Sequence, residues 1–147
     1  MGIHKLFLNY GITDQWMGVM LVHLIPSLPY AVLTIMSSFS KLDADLESQA
    51  RTLGATNSQV LRHITLPAIA PGIALAASLS FILSWSQYLL TLLTGGGRIV
   101  TLPMVLIGFE KSGDTAVAAA MALVLMLPPM LLFFINRLWM RENRVLD

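Results

Sequence analysis

No cysteine occurs in the 147 residues. A disulfide, a thiolate metal site and a cysteine nucleophile are therefore excluded. Charge is also scarce: Asp, Glu, Lys and Arg make up 12% of the chain, against about 25% in an ordinary soluble domain. The net charge is +1, so no polyanion is called for and no nucleic-acid partner is expected. The signatures of common hydrolases are missing. There is no His-Glu-x-x-His, no Gly-x-Ser-x-Gly and no Gly-rich phosphate loop ending in Lys-Ser/Thr. Gly95 to Gly97 form a triple glycine ahead of Arg98, which lacks the phosphate-loop pattern and reads as an external turn. No third partner accompanies a serine and His23 to make a triad. An intramembrane enzyme is thus a poor reading, and neither catalytic residues, cofactor nor metal is expected. Met1 to Asp14 has no long apolar core or cleavage site of a signal peptide. Leu6 stands where an acylation signal after Gly2 needs Ser or Thr.

What is present is apolar. Hydrophobic residues make up 56% of the chain, and mean hydropathy is +0.73. Three stretches carry no Asp, Glu, Lys or Arg over a membrane-spanning length: 15–40, 64–97 and 115–136. Crossing the hydrocarbon core takes about 20 apolar residues. In the second stretch a Pro-Ala-Ile-Ala-Pro entry shortens the helical part to Pro71–Thr94. The expected class is an all-α membrane protein with three transmembrane helices. Its parts are an external segment 1–14, a span 15–40, a polar loop 41–67, a span 68–94, an external loop 95–114, a span 115–136 and a tail 137–147. Lys41, Arg51, Arg62, Arg137, Arg141 and Arg144 fall on one side of the membrane, and Lys5, Arg98 and Lys111 on the other. The positive-inside rule puts loop 41–67 and the C-terminus in the cytoplasm. The N-terminus is then outside, and the expectation is that earlier spans precede this chain or belong to another polypeptide.

The polar loop has the marks of two short helices. Ser40 to Asp43 matches a capped N-terminus, and Asp43, Asp45 and Glu47 crowd the first turn, where the helix dipole favours negative charge. Leu42, Leu46, Ala50 and Leu53 form a narrow apolar stripe at helical spacing. Gly54 stops this helix. Thr56 restarts it, with Gln59 as its capping-box partner, and the second helix is expected to end by Leu66, ahead of Pro67. Such a pair could lie on the inner membrane surface; a glycine turn at a fixed place suits a pair that plugs into a partner.

The stretch "LESQARTLGATNSQVLRHITLP" resembles the cytoplasmic EAA loop of type I ABC-importer permeases, a bacterial inner-membrane family. That pattern is a Glu-Ala-Ala-like triplet, three residues, a glycine, about nine residues, then an aliphatic residue, any residue and Leu-Pro. The triplet falls on Ser48, Gln49 and Ala50, the glycine on Gly54, and the end on Ile64, Leu66 and Pro67. Ser48 occupies the family glutamate position, with Glu47 one residue earlier and Arg51 just after the triplet. "SLPYAVLTIMSSFSKLDADL", "SWSQYLLTLLTGGG" and "TLPMVLIG" resemble the flanking spans and external loop of the iron, thiamine and polyamine branch. The resemblance implies the C-terminal part of such a permease, with residues 41–67 a coupling helix-turn-helix docked to a separate ATP-hydrolysing subunit. It also implies a second permease subunit, the same or similar, and an external solute-binding protein that delivers solute to 95–114 and the outer span ends.

Two polar stripes suggest a shared surface. On the first span His23, Ser27, Tyr30, Thr34 and Ser37 align; on the second, Ser80, Ser84, Gln87, Thr91 and Thr94 fall within about an 80° arc of an unbroken helix. They read either as a solute pathway or as helix–helix packing, in which Ser and Thr let backbones approach. No Asp or Glu lies within the spans; intramembrane acids mark proton relays, so their absence favours a driving force supplied from outside. Trp85 and Tyr88 are expected to pack or face lipid. Pro26 and Pro29 should bend the first span, and Pro128 and Pro129 the third. Ala116, Ala119, Ala120 and Leu123 offer the third a close-packing face. The remaining alternative is an accessory membrane protein whose amphipathic loop binds lipid or another membrane subunit.

Overall fold

The computed structural model describes residues 7, 9, 11 and 14–143. The expectations for Gly2, Lys5, Leu6 and Arg144, and for most of segment 1–14, lie outside these residues, as does the Arg141 side chain. Among the described residues the chain is helical, with no strand. The elements are α1 (Trp16–Phe39), α2 (Ala44–Thr52), α3 (Asn57–Val60), a π turn (Leu61–Thr65), α4 (Leu66–Trp85), α5 (Leu89–Gly95), α6 (Leu102–Lys111) and α7 (Thr115–Asn143). Three helical stretches are long and apolar enough to cross a membrane: Trp16–Phe39, Asn57–Trp85 and Thr115–Leu138.

α1 and α4 run antiparallel and make the main interface of the chain. Lipid is as apolar as leucine, so close backbone approach and hydrogen bonds replace the hydrophobic effect between spans. Gly72 supplies the approach. A Cβ there would overlap the Ser38 side chain, so only glycine lets the two helices meet at this height. Val22, Ile69 and Ala76 are buried. α7 is tied to α4 by two polar contacts. Asn136 Nδ2 donates to Ser78 Oγ, and Trp85 Nε1 donates to the Leu125 carbonyl at 3.0 Å. Leu125 lies four residues before Pro129, whose missing N–H leaves that carbonyl without its helical partner. The indole fills the vacancy. Most of the remaining α7 surface is apolar and open, including Leu123, Leu127, Leu131 and Phe133.

Several expectations change. α2 is capped by Asp43, whose Oδ1 accepts from Asp45 N–H at 2.9 Å. Ser40 instead ends α1, its hydroxyl turned back to the Ser37 carbonyl. The second loop helix does not stop at Leu66. It continues through Pro67 and Pro71 into the span, because a π turn precedes the first proline: Leu66 N–H pairs with the Leu61 carbonyl, five residues back. Such a turn absorbs an interruption of the i→i−4 ladder. The second span is not one helix to residue 94. It ends at Trp85 and resumes at Leu89, after Ser86 Oγ bonds the Ile82 and Leu83 carbonyls and competes with the backbone there. The 95–114 loop contains α6. Ala116, Ala119, Ala120 and Leu123 are exposed rather than packed within the described residues. The segment before α1 and the C-terminal end of α5 are joined: Asp14 N–H bonds the Thr94 carbonyl at 3.0 Å, and the Asp14 carboxylate occupies the space a Cβ on Gly96 would need.

Candidate functional site: a polar loop and a cavity between spans

The loop is an ordered projection. α2 ends in a Schellman turn: Gly54 N–H bonds the Arg51 carbonyl and Ala55 N–H the Ala50 carbonyl, both at 3.0 Å. Gly54 has φ +90°, and a Cβ there would meet no atom within 4 Å. Glycine is required by backbone conformation, not by space. Thr56 and Gln59 form the expected capping box. Beside this turn Leu53 is 88% exposed, and Leu46 and Leu61 are also exposed. Ser48, Gln49, Arg51, Leu66 and Pro67 are exposed as well, while Ala50 and Ile64 are half-buried. Ser48 Oγ turns back to the Asp45 carbonyl. Glu47 points the other way, accepting from Thr65 Oγ1 at 2.6 Å and lying 3.7 Å from Arg51. Sequence reasoning missed the Glu47–Thr65 contact, because residues 18 apart on two helices are not related by any periodicity.

The two polar stripes meet at His23. Its Nδ1 is 2.8 Å from Ser84 Oγ and its Nε2 is 2.9 Å from Thr91 Oγ1. Thr91 Oγ1 also donates its single proton to the Gln87 carbonyl at 3.0 Å. It must therefore accept from His23 Nε2–H, leaving Nδ1 to accept from Ser84. The cluster is complete with a neutral imidazole. A cavity of about 640 Å³ opens beside it, lined by His23, Ser27, Ser80 and Ser84 together with Trp16, Phe81 and Trp85 among other apolar groups. Among the described residues no charged side chain lines it. The Thr101 hydroxyl, at the same wall, is buried without a partner among the described residues.

Of the residues in the two polar stripes, His23, Ser27, Ser80 and Ser84 line this cavity. Thr91 is fully buried behind His23. Gln87 sits in the break between α4 and α5. Tyr30 is exposed on the far part of α1, and Thr34 bonds the Tyr30 carbonyl of its own helix. The break after Trp85 explains why a single arc does not hold from Ser80 to Thr94. Ser38 and Ser78, off the expected stripes, make the interhelical contacts with Gly72 and Asn136.

Residues 5–142 match the family described as "Binding-protein-dependent transport system inner membrane component". The chain is 36% identical over 123 residues to the trehalose transport system permease protein SugB of Mycobacterium tuberculosis (strain CDC 1551 / Oshkosh), covering 80% of this chain and 45% of that protein. It is 28% identical over 138 residues to the spermidine/putrescine transport system permease protein PotC of Haemophilus influenzae, covering 94% and 54%. It is 28% identical over 137 residues to the sulfate transport system permease protein CysT of Salmonella typhimurium, covering 90% and 50%. The chain spans about half the length of these curated relatives.

Proposed function

The chain belongs to the family of binding-protein-dependent transport system inner membrane components, and from that premise we propose that it forms part of the permease of an ATP-driven solute importer. Loop 41–67 faces the cytoplasm and docks into a separate ATP-hydrolysing subunit. The observation that carries this reading is the exposed apolar residue at the tip of the loop, with Leu53 88% exposed beside the left-handed turn at Gly54. A helix adapted to lie on lipid needs a continuous apolar face and gains from basic residues over an anionic leaflet. Here Asp43, Asp45 and Glu47 crowd the start of α2, and the apolar stripe ends at a turn. That pattern favours a protein cleft over the accessory, lipid-binding reading.

His23, Ser27, Ser80 and Ser84 contribute to the solute route, where the cavity offers hydroxyls and an imidazole without fixed charge. A second permease subunit completes the route, and an external solute-binding protein meets residues 95–114. Relatives named for a sugar, a polyamine and sulfate match 80%, 94% and 90% of this chain, which supports a role in machinery common to different solutes. The orientation is tested with single cysteines in the assembled permease. Ser58→Cys is expected to react with an impermeant maleimide only from the cytoplasm, and Ser112→Cys only from outside. The reverse pattern would remove the loop from the ATPase side and end the proposal.

A further inference from the structure

A Ser or Thr hydroxyl within a helix commonly turns back to a carbonyl one turn earlier in the same helix. This chain does so at Ser27, Thr34, Ser38, Ser86, Thr91 and Thr94. Thr65 is different. Its hydroxyl leaves its own helix and donates to Glu47 Oε1 at 2.6 Å, across 18 residues of sequence. Thr65 is 6% exposed and the Glu47 side chain 25% exposed, so water competes weakly for this bond. A hydrogen bond to an ionised acceptor is among the stronger single contacts available. Arg51 sits 3.7 Å from the other carboxylate oxygen, but its side chain is 56% exposed. An exposed pair of this kind contributes little, and the brace rests on Thr65.

The position of the contact gives it meaning. Thr65 is the last residue of the π turn, where the loop becomes the second span. Among the described residues α2 also packs on α3 and the π turn, and the short turn 53–56 carries the backbone between α2 and α3. Ser48, at the position the resemblance assigns to the family glutamate, faces outward, and Glu47, about 100° round the helix, faces the π turn. The two neighbours thus serve different surfaces.

We propose that Glu47 is a positioning residue: through Thr65 it fixes the angle between α2 and the base of α4, so that a displacement of the docked loop turns α4 and its cavity-lining serines as one body. This rests on the docking reading above. Without the bond, α2 can still seat in its partner, but its motion is taken up in the turn at Gly54 and the π turn.

The experiment uses the complete transporter in vesicles, with Ser80→Cys as reporter and a small water-soluble maleimide as probe. Two quantities are read: ATPase retained on purification, and the change in Ser80→Cys labelling when nucleotide is added. Thr65→Val and Glu47→Ala are expected to retain the ATPase while the nucleotide-dependent change falls about tenfold, the factor expected for loss of one charge-assisted hydrogen bond. Thr65→Ser keeps the donor and should respond like the parent; Glu47→Gln keeps an acceptor oxygen without its charge, so it should retain the ATPase and fall between the parent and Glu47→Ala. Glu47→Ala combined with Thr65→Val should be no worse than either alone. If Thr65→Val does not accumulate, Thr65→Ala against Thr65→Ser carries the same expectation. A full nucleotide response in Thr65→Val would overturn the proposal. So would loss of the ATPase in Glu47→Gln, which would make Glu47 a docking carboxylate instead. Failure of the docking reading is distinguishable, since the ATPase would then be absent already from the parent.

Discussion

Trp85→Phe isolates the contact that joins the second and third spans. The indole N–H is 3.0 Å from the Leu125 carbonyl, which Pro129 leaves unpaired by its own lack of an N–H. Phenylalanine keeps a ring against Phe81, whose centroid lies 5.7 Å from that of Trp85 with the planes 17° apart, but it removes the donor. An unpaired buried carbonyl costs about 1–3 kcal/mol in water-soluble proteins. Between membrane helices measured couplings average about 0.6 kcal/mol and reach about 1.7. About 1 kcal/mol is therefore expected for the bond, roughly a fivefold change in the folded-to-unfolded ratio. Trp85→Phe also loses packing in the small cavity between the two helices, which Trp85, Leu125 and Pro129 line. A double-mutant cycle separates the two effects. Pro129→Ala restores an N–H that can pair with Leu125 inside α7, so the donor from Trp85 is no longer needed. In that background Trp85→Phe should cost about 1 kcal/mol less than in the parent, while the packing loss is common to both arms and cancels. Reversible unfolding of the assembled permease in mixed micelles measures all four corners. Costs that add to within about 0.3 kcal/mol would refute the claim that the indole serves the carbonyl freed by the proline.

Two further outcomes follow from the glycines. Gly72→Ala places a Cβ into the Ser38 side chain and should destabilise the α1–α4 pair by about 1–3 kcal/mol, the usual range for overpacking; Ser38→Gly in the same chain should recover most of it in the same unfolding assay. Gly54→Val should leave membrane insertion intact, since the space around Gly54 is open, but strain the turn by about 1 kcal/mol or more and lower ATPase co-purification. Gly54→Asn should be milder, because asparagine enters the left-handed region more readily. Equal yields from Gly54→Val and the parent would contradict the role given to the turn.

The three spans, the loop between them and its glycine turn were legible because they depend on local rules. An apolar run of span length, a capping box at Thr56 and Gln59, and a glycine after Leu53 each carry their meaning within a few residues. The carbonyl freed at Leu125 was also readable from Pro129 alone, but the identity of its donor was not. Trp85 reaches it from 40 residues away, and no pattern in either segment marks the pair. Periodicity misled where the helix changes its winding. The π turn at Leu61–Thr65 carries the helix past Pro67, and the break at Ser86–Tyr88 ends a register that the spacing of Ser80, Ser84, Gln87 and Thr91 had suggested was continuous. The convergence of Ser84 and Thr91 on His23 survives that break because α4 and α5 both pack on α1. The inward turn of Glu47 was beyond sequence reasoning for a different reason: one helix turn offers several faces, and only the placement of Thr65 selects among them.

The most direct measurement of the central claim is a photoreactive amino acid at Leu53, the most exposed apolar residue of the loop tip, in the complete transporter in its membrane. The account predicts a covalent adduct between this chain and the ATP-hydrolysing subunit, with the same group at Leu123 on the open face of α7 giving none. An adduct to lipid alone from Leu53, with the ATPase present in the membrane, would contradict it.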